Sequence, residues 1–155
     1  MADEVTDEVT PSWISKWWPS LVVAAVTAAA WFVLAPWDWS TVDAAGHERT
    51  GATGDAWAAL IGVALVSGMA VATVVRRRPD AVLRAPLAGL ATFIVLYAWR
   101  ASQARVKGGN LWPLGLIGVV LPIGLLGTFG GSWLALRTIR ARNREREQRG
   151  DGAEP

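Results

Sequence analysis

Residues 111–136 read LWPLGLIGVVLPIGLLGTFGGSWLAL, and residues 137–149 that follow read RTIRARNREREQR. No charged side chain falls between Lys107 and Arg137. A run of that length is a membrane-spanning helix, because about 20 apolar residues cross the hydrocarbon core and soluble core helices are rarely apolar all round for so long. Arg137, Arg140, Arg142, Arg144, Arg146 and Arg149 then follow in close succession, and basic clusters of this kind stay on the cytoplasmic side. One segment thus sets the environment, the orientation and the side on which residues 137–155, a basic cytoplasmic tail, are expected.

Composition agrees with that reading. Hydrophobic residues make up 52% of the 155 residues, and they are gathered into blocks rather than dispersed. The formal charge of +2 hides a polarised arrangement, with Asp3, Glu4, Asp7 and Glu8 at one end and the arginines at the other. A pI near 9.7 would point to nucleic acid in a soluble chain, but the positive-inside rule accounts for the same charges, so no nucleic-acid partner is expected. With no cysteine there is no disulfide framework, thiol nucleophile or Cys-based metal site.

Working outward from the fourth span, residues 103–110 carry Arg105, Lys107 and the break Gly108-Gly109-Asn110. Before them, Ala85–Trp99 are uncharged between Arg84 and Arg100. Arginines at both ends can snorkel in opposite directions, which makes a third span of about 81–102 long enough; a re-entrant segment is the alternative. Arg76-Arg77-Arg78-Pro79 closes a second span of about 55–75, with Asp55 placed to cap its start. Loop 37–54 carries the single histidine, His47, with Gly46, Gly51, Gly54, Asp38, Asp43 and Glu48, and these favour turns. A short hairpin and an irregular cap both fit it.

The first span is expected over about 19–36, about 27 Å at 1.5 Å per residue. Residues 1–12 carry acids and no base, so Leu21–Leu34 is read as a retained span and not as a cleaved signal peptide. Residues 1–10 are expected to be a disordered acidic N-terminus. Trp13, Ile14, Trp17 and Trp18 share one helical face over residues 11–18, which suits a short amphipathic helix in the membrane interface, with Pro19 turning the chain into the bilayer. The alternative is a helix that continues straight into the first span.

The fold class is therefore all-α: a four-helix transmembrane bundle over 19–136 with a short N-terminal interfacial helix. Four spans put both termini in the cytoplasm and loops 37–54 and 103–110 outside, in the plasma membrane. The tryptophans give a separate test. Trp37, Trp39, Trp57, Trp99 and Trp112 fall at one predicted interface, and Trp13, Trp17, Trp18 and Trp133 near the other, as amphipathic indoles at headgroup level should.

Candidate interaction residues follow from this arrangement. Gly127 and Gly131, Gly124 with Thr128, and Ala64 with Gly68 and Ala72 are small residues four apart that let a second helix approach closely. They pack the bundle on itself or seat a homo-oligomer or membrane-protein partner. Pro122 removes one backbone hydrogen bond and is expected to bend the fourth span. Arg76, Arg77, Arg78, Arg137, Arg140, Arg142 and Arg144 are placed to contact anionic headgroups of the lipid bilayer. No ionisable residue lies deep in a span, which argues against ion-driven transport. Hydroxyls such as Thr27, Ser67, Thr73, Thr92 and Thr128 are expected to bond to their own helix backbone. Asp38, Asp43, His47 and Glu48 match no metal-ligand spacing, and no catalytic residue, cofactor or metal is assigned.

An Arg-rich, Lys-poor chain with Pro36-Trp37 at the end of its first span, then Gly46 and Arg49-Thr50-Gly51 in the outer loop and a basic turn after the second span, resembles the small Trp-containing four-helix membrane proteins of actinobacteria, some encoded beside tryptophan-biosynthesis genes. The likeness covers about residues 18–80. It implies an inner-membrane four-helix protein and no activity. The expected function is a non-enzymatic accessory or scaffold subunit. The alternative is an oligomeric small-solute channel or exporter subunit lined by hydroxyls and glycines. A membrane enzyme using His47 with Glu48 is the least supported class.

Overall fold

The computed structural model describes residues 12–48, 52–106 and 112–150; the acidic N-terminus expected over 1–10 lies outside them. Among the described residues the named elements are all helical, and four of the helices are long and apolar enough to cross a membrane. Helix α1 covers Ser12–Leu34, α2 Ala52–Arg77 and α3 Arg84–Gln103. A single 3₁₀ turn, Pro79–Ala81, stands between α2 and α3. The fourth span is α4 (Trp112–Gly115), a π-helical turn (Leu116–Val120) and α5 (Leu121–Gly150).

Local chemistry accounts for most boundaries. Helix α1 stops before Pro36, which disfavours helical geometry at Ala35. Helix α2 has Asp55 in its first turn and Arg76 and Arg77 in its last, which complements the helix dipole at both ends. Pro79 then blocks continuation, and Arg84 donates to the Asp80 carboxylate at 2.8 Å across the turn that follows.

Pro122 acts through helix type. Its ring has no N–H for the Gly118 carbonyl, and the five residues before α5 wind with wider spacing, the Leu121 N–H bonding to the Leu116 carbonyl. Backbone angles stay helical at Gly115 and Leu121, so the span is disturbed but not broken.

Of the segment 11–18, the described residues 12–18 do not form a separate interfacial helix. From Ser12 the chain runs as one helix through Pro19, whose ring is buried. Passing through Pro19 forfeits one backbone hydrogen bond, whereas breaking the helix there would strand several polar backbone groups next to lipid. The third span starts at Arg84, later than expected from the sequence, because the 3₁₀ turn takes residues 79–81. Its 20 residues still reach about 30 Å.

Sequential helices are antiparallel, with Leu34 against Gly62 and Thr27 meeting Ser67 between α1 and α2. Helix α2 packs most extensively on α5, to which it is parallel, and α1 on α3. The core falls into two clusters. One, towards the loop 35–48, is built around Trp31, Leu60, Val63, Phe93, Tyr97 and Val120. The other, towards the arginine-rich end, is small and aliphatic: Val23, Val71, Val75, Ala81, Ala85 and Ala135. Between them all four spans meet at Gly89, where a Cβ would stand 2.8 Å from Ser67 Oγ, 3.1 Å from Val23 and 3.2 Å from Thr128.

Candidate functional site at the loop-capped end

The small residues of α2 and α5 are brought against each other. A Cβ on Gly127 would lie 2.6 Å from the Ala64 carbonyl oxygen, one on Gly68 would run into the Gly127 carbonyl, and one on Gly131 into the Gly68 carbonyl. Backbone meets backbone here, so no side chain can move aside to admit an added atom. Gly124 faces α3 instead, where Leu90 and Phe93 fill the space beside it. Ala72 joins the aliphatic cluster at the arginine-rich end. Gly130 stands in open space.

The hydroxyls follow their own helices, with one exception. Thr73, Thr92 and Thr128 donate to the carbonyls of Met69, Ala88 and Gly124, four residues earlier. Thr27 does the same to Val23 at 2.8 Å, but its oxygen also lies 2.9 Å from the Ser67 hydroxyl, joining α1 to α2 in the middle of the bundle.

The opposite arrangement, large side chains and a buried cation, closes the end where α1 finishes and α3 finishes. Loop residues 36–48 fold over it. The Asp38 carboxylate accepts the Ser40 N–H at 2.9 Å, and the Ser40 hydroxyl accepts the Arg105 N–H at 2.9 Å. Thr41 N–H donates to the Arg105 carbonyl, also at 2.9 Å, so the loop is fastened to the chain leaving α3. Beyond it a tight hairpin forms. Val42 pairs with Glu48, Gly46 takes a positive φ of 87°, and the Asp43 carboxylate accepts the N–H groups of Ala45 and His47 at 2.8 and 2.9 Å.

Beneath the loop lies Arg100, 6% exposed. Its Nη1 donates to the Trp37 carbonyl at 2.7 Å, and the guanidinium carbon sits 4.5 Å from the Trp37 ring centre and 5.2 Å from that of Trp99. Its Nε and Nη2 have no hydrogen-bond partner among the described residues. Arg100 does not snorkel outward; two aromatic faces and a carbonyl hold it inside. Deeper in, Trp31 is fully buried, 5.4 Å from Trp39 and 5.7 Å from Phe93, and Trp39 lies 5.7 Å from Tyr97.

Most of the tryptophans expected as interface anchors have exposed rings: Trp17, Trp18, Trp37, Trp57, Trp99 and Trp133. Trp39 does not share that placement, because its ring packs on the buried cluster. The Trp112 side chain lies outside the described side chains. Arg76, Arg77 and Arg78 are exposed at the end of α2, and Arg137, Arg140, Arg142 and Arg144 along α5. Arg137 stacks on Trp133 at 5.5 Å, and these two line a groove of about 400 Å³ with Arg140 and Arg144. His47 is an exposed turn residue whose Nδ1 stands 3.4 Å from Asp43. No three His, Cys, Asp or Glu side chains come together among the described residues.

An all-helical bundle with four membrane-length apolar helices, capped by a folded loop at one end and rimmed by arginines at the other, has the make-up of a multi-pass integral membrane protein. Comparison of the chain with protein-family models, curated proteins and solved structures finds no match. Sequence reasoning missed the Arg100–Trp37 contact and the inward turn of Trp39. The one available signal was the pair Trp99-Arg100, which places a cation beside an indole at a helix end.

Proposed function

We propose that this chain is a non-enzymatic accessory or scaffold subunit of the plasma membrane, with both termini in the cytoplasm and the 36–48 loop outside. The observation that carries the reading is the closed interior. Backbone fills the space between α2 and α5, and hydroxyl groups in the middle of the bundle are spent on carbonyls or on each other. A solute path needs room and unspent polar groups at the midplane. The glycines that an oligomeric pore would use as its seam are also engaged within the chain, which takes away the main support for the channel reading.

The partner face then falls on the outer side of α5. Of the most apolar stretch of the fourth span, to which α5 belongs, 17% is buried within the chain, against 44% for α2, and Leu126 is 77% exposed beside the open Gly130. The orientation rests on the arginines: Arg76–Arg78 and the α5 extension stand at one end, where anionic headgroups hold them.

Both halves are tested in the native membrane. A photo-crosslinking residue at Leu126 is expected to capture one protein in stoichiometric yield, and one at Leu65 on α2 to capture lipid only. Purified protein that moves a solute or turns over a substrate by itself would sink the reading. Because the chain has no cysteine, Ala44→Cys and Ala141→Cys report topology directly. Impermeant maleimide is expected to label the first from outside intact cells and the second only after lysis.

A further inference from the structure

The geometry points to an oxyanion-binding site of phosphate type at the loop-capped end, anchored by Arg100. A guanidinium this far buried is ordinarily matched by a carboxylate or by a full set of acceptors. Here Nη1 alone has an acceptor, the Trp37 carbonyl at 2.7 Å. The two nitrogens left over, Nε and Nη2, form the side-on edge of the guanidinium. Their N–H bonds run parallel, and that two-donor fork is the one that grips two oxygens of a phosphate or carboxylate at once.

The carboxylates nearby are already committed. Asp38 accepts from Ser40, Asp43 from Ala45 and His47, and none among the described residues pairs with Arg100. The other unsatisfied side-chain atoms here are donors as well. Trp31 Nε1 and Trp39 Nε1 are buried in the same aromatic cluster without a partner, so the unspent groups at this end are N–H donors.

Position selects phosphate among the oxyanions. Arg100 lies in the last turn of α3, between Trp37 and Trp99, whose exposed rings belong at headgroup depth. Phosphate is the abundant oxyanion at that depth. Entry is past the Trp37 ring, which is 69% exposed and rests on Phe32 at 6.0 Å and on the guanidinium it covers. Rotation of that side chain bares Arg100 without disturbing the Trp37 carbonyl bond. The phosphate comes from a lipid headgroup or from free phosphate, and the experiment separates the two.

The full-length protein in a neutral, phosphate-free detergent is titrated with dihexanoyl phosphatidylglycerol and, separately, with inorganic phosphate, reading its thermal midpoint and native mass spectrum. Wild type is expected to rise by several degrees and to retain one ligand. A response to the lipid alone assigns a headgroup; a response to both assigns free phosphate chemistry. Arg100→Lys keeps the charge and removes the fork, and its apparent affinity is expected to fall at least tenfold. Arg105→Gln, which alters an exposed neighbour, is expected to bind as wild type does. No response of wild type to either probe overturns the proposal, as does an Arg100→Lys titration that matches wild type.

Discussion

The α2–α5 seam and the loop-capped end hold the bundle by opposite means. The seam relies on side chains that are missing, Gly68, Gly127 and Gly131, so that carbonyls and Cα atoms of two parallel helices touch. The cap relies on the largest side chains available, Trp31, Trp37, Trp39, Tyr97 and Arg100, which reach across gaps that no backbone contact closes. The seam fails when an atom is added. The cap fails when atoms are taken away. In lipid, where apolar burial does little to drive helices together, both are ways of gaining dense contact: one by close approach, the other by reach.

The largest effect is expected from adding bulk to the seam. Gly131→Leu forces new carbons into the Gly68 backbone, which cannot yield without parting the helices, and should cost about 3 kcal/mol. Its neighbour Gly130 faces open space, and Gly130→Leu should change stability by less than about 1 kcal/mol, helped by the better helix propensity of Leu. Denaturant unfolding followed by tryptophan emission compares them. Equal tolerance of the two would mean that the seam is not a close backbone contact.

Deletion at the cap comes next. Arg100→Ala loses a charge-assisted hydrogen bond, worth about 1.5–3 kcal/mol, and two aromatic contacts, each about 0.5–1 kcal/mol, and leaves a hole beneath the loop. A net loss of about 2–3 kcal/mol is expected, reduced by the cost of burying the charge in the first place. Arg84 at the other end of α3 provides the contrast. Its pair with Asp80 is partly exposed, and Arg84→Ala should cost less than about 1 kcal/mol. Matching losses at the two ends would erase the distinction between a buried and a surface arginine.

The two regions also differ in how far a reader of the sequence can foresee them. Gly127 and Gly131 sit one turn apart on one helix, so their shared face is visible from spacing alone, and so are the four apolar blocks and their basic ends. What spacing does not show is which helix supplies the other half of the seam; it favours packing within the bundle over an outside partner, but it does not pair Ala64 and Gly68 with Gly127 and Gly131. At the cap the deciding contacts join residues far apart in the chain, such as Trp37 with Arg100 and Ser40 with Arg105. No local period encodes those. The interfacial helix over 11–18 failed for a related reason: the tryptophan face was real, but the choice between turning and continuing at Pro19 depends on backbone groups that the pattern of side chains does not weigh.

A smaller effect is expected in the middle of the bundle, between seam and cap. Thr27→Val and Ser67→Ala each remove one partner of the 2.9 Å hydroxyl pair, and each should cost about 1 kcal/mol. A double-mutant cycle is expected to give a coupling of about 0.6 kcal/mol, typical of hydrogen bonds between helices in membranes. A coupling near zero would mean that each hydroxyl is satisfied by its own helix, and that the centre resembles neither region.

The smallest effect separates the two layers of the cap itself. The Asp43 carboxylate organises the hairpin through the Ala45 and His47 N–H groups, yet this turn is exposed. Asp43→Ala should therefore change global stability by less than about 0.5 kcal/mol, as surface substitutions usually do. Its effect should be local opening, which global unfolding does not register but amide exchange does. Protection at Ala45 and His47 is expected to fall, while the Arg105 amide, held by the Ser40 hydroxyl, keeps its rate. If Arg105 loosens as well, the hairpin and the layer above Arg100 form one cooperative unit. The cap would then open as a whole, through lost reach across the loop, whereas the seam parts through lost close approach.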